Sequence, residues 1–212
     1  MASERILRHK AIDRLFHWIT AASVLTLLAT GLLPVLGVDF DWITIHWIAG
    51  LVLIVAVLFH IVRASFWQSL RSMAVGPKDL AALGAELGFG GKGAAKAGKY
   101  LVAQRLMHHV ITIVALTAIA TGALMLVKID TPFWKRQPYW LQEHSWGIIY
   151  AFHDLAAMSF VSLIMLHIYF ALRPEKMLYT RAMISGWMRR QDYLANHDPA
   201  LWPANETSED QG

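Results

Sequence analysis

Two stretches of this 212-residue chain carry a histidine at each end of an otherwise apolar run, and the two have equal length. "HWIAGLVLIVAVLFH" occupies positions 46–60 and "HDLAAMSFVSLIMLH" positions 153–167. With His17 in "DRLFHWIT", five of the ten histidines (His17, His46, His60, His153 and His167) lie within or at the edges of apolar segments. An imidazole in hydrocarbon is costly and faces either the interior of a helix bundle or a cofactor. One such residue reads equally well as an interhelical hydrogen-bonding group, whereas five in so short a chain favour ligation. Fourteen residues are two heptads, so the second histidine of each run returns to within about 40° of the first on the same helix face. It lies about 21 Å further along the axis.

What the sequence lacks narrows the chemistry. There are no cysteines, which excludes disulfides, cysteine-ligated iron–sulfur clusters and haem attached through C-x-x-C-H. Zinc would need cysteines or several carboxylates near the histidines. A proton relay would need buried acids, and only Asp154 qualifies, near the edge of a span. Imidazole is a standard axial ligand of haem iron.

The elements that must position these histidines follow from charge and hydropathy. Hydrophobic residues make up 56% of the chain and charged residues 16%. Charges are nearly absent from windows at 15–38, 42–62, 106–127 and 144–172. Each window is long enough to cross a hydrocarbon core of about 30 Å at about 1.5 Å per residue. The predicted fold is an all-α membrane protein: a four-transmembrane-helix bundle with short amphipathic surface helices, with spans near 15–38, 42–66, 104–128 and 146–172. These form one domain over 1–195, followed by a tail over 196–212. The first window is longer than a signal-peptide core and no small-residue cleavage motif follows it.

Of the 19 Lys and Arg, four precede the first span, seven fall from Arg63 to Arg105 and five follow the fourth span. The first outer loop has none and the second has Lys128, Lys135 and Arg136. The positive-inside rule therefore predicts both termini and the long 63–105 segment in the cytoplasm. The pI near 9.4 reflects this anchoring and requires no nucleic acid. In this arrangement the second and fourth spans run in the same direction. His46 and His153 share the outer depth, and His60 and His167 the inner. His17, near the cytoplasmic end of the first span, also reaches the inner level. Two layers of facing imidazoles suit two bis-histidine b-type haems. The inner layer offers three candidates for two places, and spacing does not choose among them. Gly31, Gly50 and Gly122 suit either close approach of a macrocycle or close helix packing.

The connecting segments read more simply. Pro34 and Gly37 in "GLLPVLG" suit the end of the first helix. Pro77 could open a surface helix with Leu80, Leu83 and Leu87 on one face. "GFGGKG" at 88–93 formally matches G-x-G-x-x-G, but no strand or βαβ unit surrounds it, so a flexible turn is the better reading. The loop 128–145 is aromatic, as an interfacial belt or docking surface would be. "PEKMLYTRAMISGWMRRQDYL" at 174–194 reads as a surface helix, and "NETSEDQG" as a disordered tail.

With these features in view, the chain from about Arg14 to Tyr193 resembles the cytochrome b (gamma) subunit of membrane-bound respiratory formate dehydrogenases. The likeness rests on "DRLFHWITAASVLTLLATG", "HWIAG", "GKYLVAQRL" and, most specifically, "HDLAAMSFVSLIMLHIYFALRPEKMLYTRAMISGWM". It is related to the b-type cytochrome subunits of nickel–iron hydrogenases. The resemblance implies two haem b groups: His17 with His167 on the cytoplasmic side, and His46 with His153 on the periplasmic side. His60 is then an alternative inner ligand. It further implies a bacterial inner-membrane location and electron flow from a periplasmic iron–sulfur subunit to menaquinone or ubiquinone. Substrate oxidation would fall to a molybdenum- or tungsten-type catalytic subunit, and a higher oligomer of the complex is compatible with it. Where the family has Tyr-Asn-x-Gly-Gln near its quinone, "YLVAQ" keeps Tyr100 and Gln104 but has Leu101 and Ala103. Gln104, His108 and His109 are therefore the quinone-site candidates. A stand-alone di-haem cytochrome and a proton-coupled transporter are the rival readings.

Overall fold

A computed structural model describes residues 5–67, 70–77 and 98–203, and between the last two stretches residues 79, 83 and 96 alone. The helix expected to open at Pro77 lies almost wholly outside the described residues, as do the "GFGGKG" segment and the "NETSEDQG" tail. The elements are β1 (Arg5–Leu7), α1 (Ala11–Leu32), α2 (Trp42–Trp67), α3 (Val102–Met125), α4 (Glu143–Leu172), α5 (Met177–Ser185), β2 (Trp187–Arg189) and α6 (Arg190–Asn196). A 3-10 turn, Leu126–Lys128, prolongs α3. Among the described residues, four helices are long and apolar enough to cross a membrane. Large apolar side chains such as Val55, Ile113 and Met165 stand two-thirds exposed on them, which suits lipid rather than water. The expected all-α membrane fold is thus observed.

The helix bounds differ from expectation for local reasons. α1 begins at Ala11 rather than 15, because the charges in its first turns have partners. Asp13 pairs with Arg63, and Arg14 donates to the Ile184 carbonyl. The helix gives way at Leu32 to a run of turns that closes as a Schellman motif. Val38 N–H donates to Leu33 O at 3.0 Å and Gly37 N–H to Pro34 O at 3.0 Å. Gly37 takes φ 86°, the left-handed conformation that this cap requires. At the other hairpin, α4 begins at Glu143 rather than 146; an acidic residue in the first turn complements the helix dipole.

The chain divides into two compact units. Unit 2 comprises His17–Ile61 and Val110–Leu166. Its core is Val24, Leu53 and Phe160, with Leu27, Ile111, Ala118 and Ile164 packed against them.

Unit 1 comprises Met1–Phe16, Val62–His109 and His167–Gly212. Here the expected continuous helix over 174–194 is broken. Pro174–Lys176 form a 3-10 turn and α5 ends at Gly186, whose φ is 92°. The chain then enters β2, which pairs antiparallel with β1 in the register Arg5↔Arg189, Ile6↔Met188 and Leu7↔Trp187. Ile6, Met188 and Tyr193 form a small core beneath this ribbon. The Gly186 carbonyl accepts from both Arg8 N–H and His9 N–H, at 2.9 and 3.1 Å.

Arg8 is 2% exposed and lies over the rings of Tyr179 and Trp202 at 4.7 and 5.3 Å. It donates to His197 Nε2 at 3.1 Å and to Lys99 O at 2.7 Å. Burial pulls its guanidinium below the ordinary arginine range. Lower on α3, Arg105 pairs with Asp79 at 2.6 Å, and Asp79 accepts from Gly76 N–H at 2.8 Å. The Gly76 N–H and then the Arg105 guanidinium hold the Asp79 carboxyl below the usual carboxylate range.

Two tests follow. A Cβ on Gly186 would meet His9 O at 3.0 Å and Arg14 Nε at 3.4 Å, in a backbone conformation that already disfavours side chains. Gly186→Ala should destabilise the protein by about 2 kcal/mol, read as a lower unfolding temperature in detergent. Because the folded Asp79 value is depressed, its contribution is present above the ordinary carboxylate range and lost as pH falls below about 4. Proteolytic cleavage around residues 70–79 should therefore rise below that pH, and Asp79→Asn should make the fast cleavage independent of pH.

Candidate functional site

Unit 2 contains an apolar cleft of about 260 Å³ into which His46 and His153 both open. His46 lies one turn into α2 and His153 three turns into α4. Their ring centres are 6.2 Å apart. An imidazole nitrogen lies about 2 Å from a metal it ligates and about 1 Å from its own ring centre, so two imidazoles on opposite sides of one iron have centres about 6 Å apart. The pair is spaced for a single metal between them.

Each ring is held by a threonine from the preceding helix. Thr30 Oγ1 lies 2.8 Å from His46 Nδ1, and Thr121 Oγ1 lies 2.8 Å from His153 Nδ1. A hydroxyl has one proton to donate. Thr30 gives it to the Thr26 carbonyl at 2.7 Å, and Thr121 gives it to the Thr117 carbonyl at 2.7 Å. With its proton so placed, each hydroxyl oxygen can accept from the imidazole, which would put the hydrogen on Nδ1 and leave Nε2 its lone pair. This is the tautomer that a metal-binding imidazole needs, fixed by a second layer of hydrogen bonds.

The glycines after these threonines make room for the rings. A Cβ on Gly122 would stand 3.2 Å from His153 Cε1, and one on Gly31 would stand 3.9 Å from His46 Cε1. Gly50 and Gly122 also line the cleft. Gly122 therefore admits an imidazole, Gly31 merely borders one, and Gly50 and Gly122 open the wall. The threonines carry no charge and look unremarkable in an apolar helix, and the histidine spacing does not reveal them. The signal that finds them is a repeat, "TLLATG" at 26–31 and "TAIATG" at 117–122. Both copies put the second threonine and its glycine against a histidine of the next helix.

The remaining sequence-predicted residues stand elsewhere. His17 lies on α1 with its ring edge-on to Trp18 at 5.2 Å. His60 lies on α2 and His167 near the end of α4. Gln104 Oε1 accepts from Leu101 N–H at 3.1 Å and so caps the start of α3. His109 Nε2 binds the Met73 carbonyl at 2.8 Å, and the His108 and His109 rings meet edge-on at 5.5 Å. Among the described residues, no group of three or more His, Cys, Asp or Glu is arranged to hold a metal ion. A two-imidazole site is thus the arrangement to which the polar groups of the cleft conform.

Residues 8–186 match the sequence model of a family described as prokaryotic cytochrome b561. No curated protein matches the chain. The matched family consists of membrane electron-transfer proteins that bind b-type haem. The cleft fits that group: two imidazoles at bis-axial spacing, Nε2 lone pairs directed by the threonine contacts, and apolar walls. Gly122→Ala should push the His153 ring away from His46 and lower the haem content of the purified protein toward that of His153→Ala. Gly147→Ala, whose Cβ would meet nothing within 4 Å, should leave haem content unchanged in the same spectral assay.

Proposed function

The chain belongs to the prokaryotic cytochrome b561 family, and from that premise we propose that it is the membrane-anchoring di-haem cytochrome b subunit of a formate-dehydrogenase-like respiratory complex. In this reading it takes electrons from a periplasmic iron–sulfur subunit and delivers them to quinone, menaquinone or ubiquinone, on the cytoplasmic side. Both termini are cytoplasmic, and the catalytic subunit holds a molybdenum- or tungsten-type cofactor. Bound haem supplies reversible one-electron chemistry at iron.

The observation that carries the reading is the His46–His153 pair, with ring centres 6.2 Å apart and each Nδ1 held by a threonine. These two imidazoles would hold the outer haem. Thr30 and Thr121 keep the rings oriented, and Leu53 and Phe160 help to exclude water. His17 and His167 would hold the inner haem, with His60 the alternative to His17. Gln104, His108 and His109 stand near the basic end where quinone would be reduced. With electrons arriving from outside and protons taken up from the cytoplasm, the complex charges the membrane without a pump. The family match supports equally a role as the cytochrome b subunit of a nickel–iron hydrogenase.

Difference spectra of membranes carrying single variants test the ligand assignment. His46→Ala and His153→Ala should each remove the same b-type haem while the other stays, and His167→Ala should remove the second. A His46→Ala protein that keeps both haems would falsify it. Mild detergent extraction with subunit identification tests the complex. Recovery with an iron–sulfur protein and a molybdenum or tungsten subunit is the expected result; a nickel subunit favours the hydrogenase reading, and recovery alone excludes both.

A further inference from the structure

Apart from His46, His153 and Tyr150, the cleft is lined by apolar side chains and one charged residue. Among the described residues that line it, Lys128 alone carries a formal charge. It closes the 3-10 turn after α3, and its Nζ lies over the rings of Trp146 and Tyr150 at 4.9 and 5.0 Å. No carboxylate among the described residues pairs with it. The acid nearest in sequence, Asp130, is engaged by Arg136, whose backbone N–H it accepts at 3.1 Å and whose Nε lies 3.9 Å away. A lysine at an apolar wall is costly unless its ammonium finds an anion or water. The two aromatic faces offset part of that cost and fix where the ammonium stands.

A b-type haem carries two propionates. They are its only anionic groups at the periphery and cannot be buried unpaired in an apolar cleft. We propose that Lys128 binds a propionate carboxylate of the haem held between His46 and His153, with Trp146 and Tyr150 positioning its ammonium. The proposal rests on the assignment of those histidines as an axial pair. Together they would fix the macrocycle at its iron and at its edge, so that its rotation about the iron axis is set by the chain.

The test compares Lys128→Met, which keeps apolar contact with the two rings, and Lys128→Arg, which keeps the charge, in the full detergent-solubilised protein. Transfer of haem to excess apomyoglobin is followed, and the midpoint potential is measured for the haem that is missing in His46→Ala. Lys128→Met should release that haem about tenfold faster, as expected for a lost charge-assisted hydrogen bond, and should lower its potential. Lys128→Arg should stay close to the wild type. With haem dimethyl ester, whose carboxylates are blocked, wild type and Lys128→Met should release at the same rate.

Unchanged release and potential in Lys128→Met would overturn the proposal. So would a Lys128→Met defect of equal size with the ester, because Lys128 would then act by packing alone. A defect that appears only when anionic phospholipid is present would assign the lysine to a lipid headgroup and also overturn it. If His46→Ala keeps both haems, the axial assignment itself fails, which is distinct from a Lys128 variant that changes nothing while His46→Ala loses one haem.

Discussion

The demand that shapes unit 2 is that an imidazole in hydrocarbon must satisfy its N–H without a charged partner. An unsatisfied donor at membrane depth costs several kcal/mol, on the order of the whole stability margin of a domain. The relay from imidazole N–H to threonine hydroxyl to helix carbonyl meets the demand with neutral groups only. The carbonyls of Thr26 and Thr117 already accept within their helices and have a second lone pair to offer. The ladder is kept, and the ring is held at two points, Cα and Nδ1. At Gly122 the glycine then becomes necessary, since a Cβ there would press on the ring edge of His153, whereas at Gly31 a Cβ would only touch the His46 ring.

This requirement appears twice. The α1–α2 hairpin and the α3–α4 hairpin each contribute a T-x-x-A-T-G helix followed by a histidine helix, and the two imidazoles meet. Repetition explains why the hydrogen-bond distances agree at 2.8 Å on both sides. The hairpins differ at their outer ends. α1 stops in a Schellman turn before a short loop that carries Asp39 and Asp41, whereas α3 runs on through a 3-10 turn to Lys128 and an aromatic loop. The repeat thus builds the paired imidazoles, and its asymmetry gives the cleft a charged end.

The four spans were legible in the sequence because lipid contact forces uncharged windows of a length set by the bilayer. Their ends were less so: hydropathy cannot see that Asp13, Arg14 and Arg63 each have a partner, and it therefore starts α1 too late. The break at Gly186 was hidden for a similar reason, since the partner strand Arg5–Leu7 lies some 180 residues away in sequence. A local pattern that suits a helix loses there to a non-local pairing. For the site, histidine spacing brought out His46 and His153 because two heptads keep one face. It could not bring out Thr30 or Thr121, since a threonine in an apolar helix normally bonds back to its own carbonyls whether or not it serves anything else. The inner candidates His17, His60 and His167 share a depth by spacing, and depth alone does not pair them.

The two units satisfy buried polar groups by different means, and the difference bears on electron transfer. Unit 1 keeps its charges and pairs them, Arg63 with Asp13 and Arg105 with Asp79, or sets them against aromatic faces, as at Arg8. The cleft of unit 2 has neutral hydrogen-bonded groups and, among its described lining residues, one cation at the end of α3. A ferric bis-imidazole porphyrin core carries a net positive charge and the ferrous core none. Surroundings without fixed anions disfavour the charged form, because desolvation penalises it most. An iron held between His46 and His153 would therefore be tuned toward reduction by the apolar lining of the cleft as much as by its ligands. The nearest acid in sequence, Asp154, follows His153 directly, and on a helix adjacent residues point about 100° apart. Asp154 is thus one step in register from the imidazole, and its charge still reaches the His153 ring.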